Sequence, residues 1–314
     1  MIAKTNRLGL LAAVVGPLAA VGLLEFMVVV EAQPAGATFP GKNGKITYVT
    51  LTAPHGVEIY TITPDGSGKF RVTNTKNTDE ERPDYSPDGK NIAYSGCPNK
   101  SDCEIYIVPA HGGKPVQVTN NNTLDHEPSF SPDGKKIAYV GCPNRSDCEI
   151  YTITATGGKA FNVTNNDTRD SLPSYSPSGK RIAYSSWDVN DTEIYTISAT
   201  GGKPVQVTNN KTPDLEPSFS PNGKKIAYAG TGRKTDYEIY TISATGGKRV
   251  QVTNNKTEDG DPSYSPDGKK IAYIRGGDQK TDSEIYTNNA GGGGRVQVTH
   301  NRTDNFWPSW GSRP

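Results

Sequence analysis

Charge of one sign is what this chain lacks most plainly. Its 314 residues carry 34 Lys and Arg against 33 Asp and Glu, a net charge of +1, with no block of five like charges. That excludes the basic footprint of a nucleic-acid-binding surface, and equally an acidic tail. Hydrophobic residues are scarce at 33%, while Gly 34 and Pro 23 are abundant. A large helical core is therefore excluded, because each breaker inside a helix costs about 1–3 kcal/mol. Histidine is rare, and His55, His111, His126 and His300 fall in separate segments that form no histidine-rich metal motif. No Gly-x-Ser-x-Gly nucleophile elbow occurs either. What remains suits many short strands joined by tight turns.

The first 37 residues differ from the rest. Lys4 and Arg7 precede an apolar run from Leu8 to Leu24, which continues more weakly from Phe26 to Val30. A basic start, an apolar middle and small residues after it describe a secretory signal peptide. Cleavage after Ala32 or Ala37 satisfies the small-x-small rule. The rival reading is an uncleaved anchor, since Leu8 to Val30 nearly spans a bilayer; Glu25 and Pro17 count against it. Either reading places the remaining chain, 38–314, outside the cytoplasm.

The cysteines agree with export. All four lie in two copies of one phrase, Cys97-Pro-Asn-Lys-Ser-Asp-Cys103 and Cys142-Pro-Asn-Arg-Ser-Asp-Cys148. Five intervening residues fit poorly with a Cys-x2–4-Cys metal site. Each pair reads as a local bridge across a hairpin, in a compartment where disulfides persist. Cross-pairing between the copies and free thiols are the alternatives.

An internal repeat dominates the remainder. The phrase Pro-Ser-Tyr-Ser-Pro-Asp-Gly-Lys-Lys-Ile-Ala-Tyr is followed by a variable stretch, then Glu-Ile-Tyr-Thr-Ile, Gly-Gly-Lys and Val-Gln-Val-Thr-Asn-Asn. Its leading proline recurs at Pro83, Pro128, Pro173, Pro217, Pro262 and Pro308, at intervals of 45, 45, 44, 45 and 46 residues. A period of 40–45 residues made of short strands is a propeller signature. In one copy the four strands are expected at Pro173–Ser176, Arg181–Ser185, Glu193–Ile197 and Val205–Thr208. Ser-Pro-Asp-Gly presets a turn: Pro fixes φ, Asp bonds nearby backbone and Gly accepts φ > 0. The fold class is therefore all-β, a six-bladed propeller of four-stranded antiparallel blades. The repeats begin at a blade's second strand and end with a first strand. Closure is expected by pairing Pro308–Trp310 with Lys45–Thr50, which hides edges that otherwise invite aggregation.

The units Pro-Ser-Phe-Ser-Pro-Asp-Gly-Lys-Lys-Ile-Ala-Tyr (128–139) and Glu-Ile-Tyr-Thr-Ile (149–153) resemble the WD-like repeats of the TolB-type β-propeller family. The resemblance covers roughly residues 44–311. It implies a propeller without the α/β domain that precedes the propeller in the family's namesake. That namesake works in the periplasmic envelope, so the resemblance also implies an exported setting. It is specific for fold and much less so for function, since one propeller hosts many activities.

Three residues before each leading proline stand Glu80, Asp125, Asp170, Asp214, Asp259 and Asn305. If the Pro-led strand is innermost, as the resemblance implies, these side chains ring one channel mouth. They could bind calcium, a hard oxygen-seeking cation, or a cationic peptide group. Alternatively each carboxylate bonds the backbone of its own loop. The glutamate of Glu-Ile-Tyr recurs in all six copies and reads as structural. Asn121-Asn122-Thr123, Asn166-Asp167-Thr168, Asn210-Lys211-Thr212 and Asn255-Lys256-Thr257 read as glycosylation acceptors or as copied turn chemistry. Positions that vary between copies are more informative: Arg82, His126, Glu127, Leu172, Glu216, Asp261, Phe306 and Trp307 share the same loops. Phe306 and Trp307 suit either a hot spot or seam packing. The loops 186–192, 230–237 and 276–283 should widen the same face.

The composite expectation is a monomeric exported propeller that binds an envelope or extracellular protein, peptide or glycan, with no nucleic acid and no required cofactor. The alternative is a propeller enzyme, such as a polysaccharide lyase or hydrolase, with its site at the channel mouth.

Overall fold

The computed structural model describes residues 39–52, 56–75, 78–98, 102–144, 147–187, 191–232, 236–276 and 282–313. The leader expectation (1–37), His55 and parts of the variable loops lie outside them. Among the described residues no helix is long and apolar enough to cross a membrane.

Twenty-four strands form six four-stranded antiparallel sheets. Blade 1 combines the two ends of the repeat region: inner strand Asn305–Ser312, then Asn43–Thr52, Gly56–Ile62 and Phe70–Arg71. The inner strands of blades 2 to 6 are Thr78–Tyr85, Leu124–Phe130, Arg169–Tyr175, Asp214–Phe219 and Asp259–Tyr264. Each inner strand packs against those of the two neighbouring blades, and that of blade 1 also meets that of blade 2, so the ring closes. The expected seam is present: Ile46 pairs with Trp310 and Thr50 with Asn305.

Each blade's core follows from the repeat. Ile and Tyr of the second and third strands fill the spaces between blades, and Ile46, Ile92, Ile137, Ile182, Ile226 and Ile271 are wholly buried. A cross-strand tyrosine pair stands in every blade, from Tyr94–Tyr106 at 5.7 Å to Tyr273–Tyr286 at 6.1 Å between ring centroids. Such pairs are the unit of sheet stabilisation.

A second ring of contacts locks the blades to one another. The residue after each leading proline accepts the backbone N–H of the aromatic two places past the next blade's proline. Ser129 accepts from Tyr175 (3.3 Å), Ser174 from Phe219 (3.4 Å), Ser218 from Tyr264 (3.5 Å) and Ser263 from Trp310 (2.9 Å). Ser309 then accepts from Tyr85 (3.4 Å), which carries the ring across the seam. In blade 2 the serine is replaced by Asp84, which accepts from Phe130 N (2.8 Å) and from Ser309 Oγ (3.0 Å).

Two expectations about strand extent are corrected. In blade 4 the inner strand starts at Arg169 rather than Pro173, because the loop residues stay extended and pair with Ser185–Trp187. The outer strand is only Val205–Gln206. It stops early because Val207 N and Thr208 N both bond Ile194 O, while Thr208 Oγ1 accepts Ile194 N at 2.8 Å.

Candidate functional site

Strand direction puts the interblade loops and the loops between second and third strands at the same end of the ring. Asp125 pairs with Gly141, and Gly141 with Glu149 across the hairpin. The disulfides Cys97–Cys103 and Cys142–Cys148 are both formed in two of these hairpins, as the local reading expected.

The side chains that repeat are joined in one interblade network. The Glu-Ile-Tyr glutamate of one blade accepts the backbone N–H of an asparagine in the following loop: Glu104 from Asn121 (2.6 Å), Glu149 from Asn166 (2.7 Å) and Glu284 from Asn301 (3.0 Å). A threonine hydroxyl also reaches the glutamate, as from Thr119 to Glu104, Thr164 to Glu149 and Thr253 to Glu238. The asparagine Nδ2 then donates to the aspartate at the next inner strand. Asn121 reaches Asp125, Asn210 reaches Asp214 and Asn255 reaches Asp259, each at 2.6 Å, and Asn166 reaches Asp170 at 2.8 Å. The asparagine Oδ1 meanwhile accepts the backbone N–H of the threonine in Asn-x-Thr. These phrases therefore act as turn chemistry. The first loop is one residue longer, and there Thr73 and Thr75 bond the longer Glu80. In the last loop Asn305 donates to Glu284 Oε2 at 3.0 Å and to Asn301 Oδ1 at 2.9 Å.

Glu80, Asp125, Asp170, Asp214, Asp259 and Asn305 are thus brought to one end of the ring, and all are at most 1% exposed. Burial, the largest influence, raises Asp125 and Asp170 to about 6 and Glu80, Asp214 and Asp259 to about 7, against hydrogen bonds that pull the other way.

The varied positions form a second, deeper set. The residue directly before each leading proline has positive φ: Arg82 59°, Glu127 62°, Leu172 62°, Glu216 61°, Asp261 52° and Trp307 60°. A register shift in the inner strand's pairing spans each of them. Bulges re-aim side chains, and left-handed backbone outside glycine costs about 1–3 kcal/mol per residue. None of the six is β-branched, which is what that conformation requires.

Several of these six touch across neighbouring blades. Arg82 pairs with Glu127, and its guanidinium carbon lies 6.0 Å from the Trp307 ring centroid. Glu127 Oε2 accepts Leu172 N, and Glu216 Oε2 accepts Asp261 N, so a carboxylate of one blade holds the bulge of the next. Burial lowers Arg82 to about 10, with Glu81, Asp261 and Glu216 opposing that shift. His126 stands beside this set, Nδ1 3.2 Å from Glu127 Oε1. Burial, then Arg82, pushes its pKa well below the usual histidine value. Phe306 and Trp307, 5.8 Å apart, pack into the hydrophobic clusters that flank the seam.

Among the described residues His111 lies in a turn between third and outer strands, at the opposite end from His126. One residue escaped the sequence reading. Trp187, in the loop 186–192, is 58% exposed and paired with Arg169 on the interblade-loop face. Its signal was its uniqueness at a position where other copies hold smaller residues.

Comparison with known proteins agrees with this geometry. The family model described as "TolB beta propeller domain" matches residues 36–177 and 171–313. No curated protein matches the sequence. Among solved structures, TolB from Acinetobacter baumannii is 22% identical, with a TM-score of 0.75 over 87% of this chain and 68% of that one. A putative TolB from Agrobacterium tumefaciens is 19% identical, with a TM-score of 0.68 over 85% and 97%. An oligogalacturonate lyase in complex with manganese is 14% identical, with a TM-score of 0.53 over 83% and 74%. At these identities the structures share the fold alone. Since the family's own pattern runs through nearly all the described residues, the chain belongs to the TolB β-propeller domain family.

Proposed function

We propose that this protein is an exported, non-catalytic recognition module that binds an envelope or extracellular protein, peptide or glycan at the interblade-loop face. One observation carries the reading. The chemistry that repeats is consumed in joining blade to blade and the six varied residues before the leading prolines are buried beneath the loops, so recognition falls to the exposed residues of that end, where Trp187 is 58% exposed. A rigid frame with varied residues at one end is how scaffolds present binding surfaces. Trp187 supplies the exposed aromatic anchor that recognition sites favour. The disulfides and the family support an exported setting. The acidic set belongs to the scaffold in this reading rather than to a calcium cage, because a loop asparagine already engages one oxygen of each of Asp125, Asp170, Asp214 and Asp259.

Capture from an envelope extract tests the proposal. The immobilised wild-type protein should retain a partner that Trp187→Ala loses, with both proteins equally folded by circular dichroism. Equal capture by both would refute the assigned face.

A second reading rests on Arg82, His126, Glu127, Glu216 and Asp261, polar groups that do not follow the sixfold repeat. That is what a propeller lyase or hydrolase would place at its channel mouth. All five are at most 7% exposed, which favours recognition at the loops above them. Release of unsaturated products from acidic polysaccharides would establish the enzyme instead.

A further inference from the structure

The two disulfide hairpins are near copies, but the side chain two residues before the leading proline differs. Blade 2 has Glu81 two residues before its leading proline, where blade 3 has His126. The His126 Nε2 lies 3.5 Å from Cys142 Sγ. His126, Cys142 and Cys148 are all buried, and their ligand atoms lie within 4.8 Å of one another. Behind the imidazole, Glu127 Oε1 stands 3.2 Å from Nδ1 and is itself paired with Arg82. The tautomer with its proton on Nδ1, on the side of Glu127, turns the Nε2 lone pair toward the sulfur. This carboxylate–histidine arrangement is the one that orients metal-bound imidazoles.

We propose that the Cys142–Cys148 hairpin, once reduced, is a three-ligand site for a thiophilic divalent cation such as zinc, formed by Cys142 Sγ, Cys148 Sγ and His126 Nε2, with Glu127 orienting the imidazole. Tetrahedral zinc with its usual bond lengths requires an N···S separation of about 3.6 Å and an S···S separation of about 3.8 Å. The first matches the Cys142 Sγ–His126 Nε2 distance of 3.5 Å, and the second requires the two sulfurs to separate once the bond opens. Two thiolates and one imidazole leave a fourth position for water or a further ligand. Around Cys97–Cys103, where Glu81 replaces the histidine, no such group of three ligand atoms forms among the described residues, so that pair serves as an internal control.

The chemistry balances with a dithiol as reductant. Thiol–disulfide exchange passes two electrons and two protons to the cysteine pair, and the dithiol leaves as its own disulfide. Metal binding then displaces the two thiol protons to solvent and forms two metal–sulfur bonds and one metal–nitrogen bond.

The test uses the protein reduced with dithiothreitol and then freed of it anaerobically. Zinc should shield Cys142 and Cys148, but not Cys97 and Cys103, from alkylation, as read by mass spectrometry of the peptides. Cobalt should give one equivalent of thiolate-to-metal charge-transfer absorption. His126→Gln should weaken cobalt binding at least tenfold, as loss of even an orienting partner costs about 10–100-fold, while Cys97→Ser/Cys103→Ser should leave it unchanged. Equal alkylation of all four thiols in the presence of zinc, or protection that persists in His126→Gln, would overturn the proposal.

Discussion

Replacing Asp84 by serine should stabilise this protein, and the gain should depend on pH. Asp84 stands where the inner strands of blades 3 to 6 and blade 1 carry serine, and it makes the same interblade contact to Phe130 N. Its carboxyl is 1% exposed, and burial raises its pKa to about 7 against the hydrogen bonds from Phe130 and Ser309. A carboxyl whose folded pKa is raised contributes stability that is complete below its unfolded pKa, near 3.9, and is lost as pH rises through about 7. The three-unit interval corresponds to about 4 kcal/mol lost between about pH 4 and pH 8. Asp84→Ser keeps an acceptor for Phe130 N and removes the titration. At about pH 8 the variant should therefore melt roughly 8 °C higher than wild type, at about 2 °C per kcal/mol for a chain of this size, and near pH 4 the two should coincide. The other raised carboxyls are common to both proteins and cancel in the difference. Paired calorimetry across that range is the assay. A difference in Tm that does not change with pH would refute the assignment of Asp84 as a buried titrating group.

Asn210→Ala strips Asp214 of its 2.6 Å donor. It should cost about 1–3 kcal/mol, read as a drop in denaturant midpoint; an unchanged midpoint would mean that the loop networks do not join the blades. Leu172→Ile keeps volume but places a β-branched side chain at φ 62°, and should destabilise by about 1–3 kcal/mol, whereas an effect near zero would show that the bulge backbone relaxes freely. Calcium and a chelator should leave the melting temperature of the wild-type protein unchanged, because the carboxylates of Asp125, Asp170, Asp214 and Asp259 each accept an asparagine Nδ2; a rise with calcium would restore the ion-binding reading of that ring.

The six-blade count, the seam and the two disulfides were legible because each has a local cause that repeats: a spacing, a turn phrase or a cysteine pair. The shared location of Arg82, Glu127, Leu172, Glu216, Asp261 and Trp307 was legible too, since a leading proline marks each. Their positive φ was not, because that conformation is imposed by the neighbouring blade, as when Glu127 grips Leu172 N. The role of Asp84 was written in the sequence as Pro-Asp-Tyr in place of Pro-Ser-Tyr. Its meaning needed the next blade's Phe130, a partner 46 residues away. Trp187 was hidden for the opposite reason, since it breaks the repeat inside a variable loop and periodicity says nothing about such positions.

The proximity of the varied residues depends on the ring being sealed by the chain's two ends. Native-state hydrogen exchange measures that seal directly. The amides of Trp310, whose strand pairs with Ile46 at the seam, and of Tyr85, which bonds Ser309 across it, should be protected as strongly as those of Tyr175 and Phe219 between interior blades. Exchange of Trp310 and Tyr85 at the rate of a fraying terminus, with Tyr175 and Phe219 still protected, would contradict the closed ring.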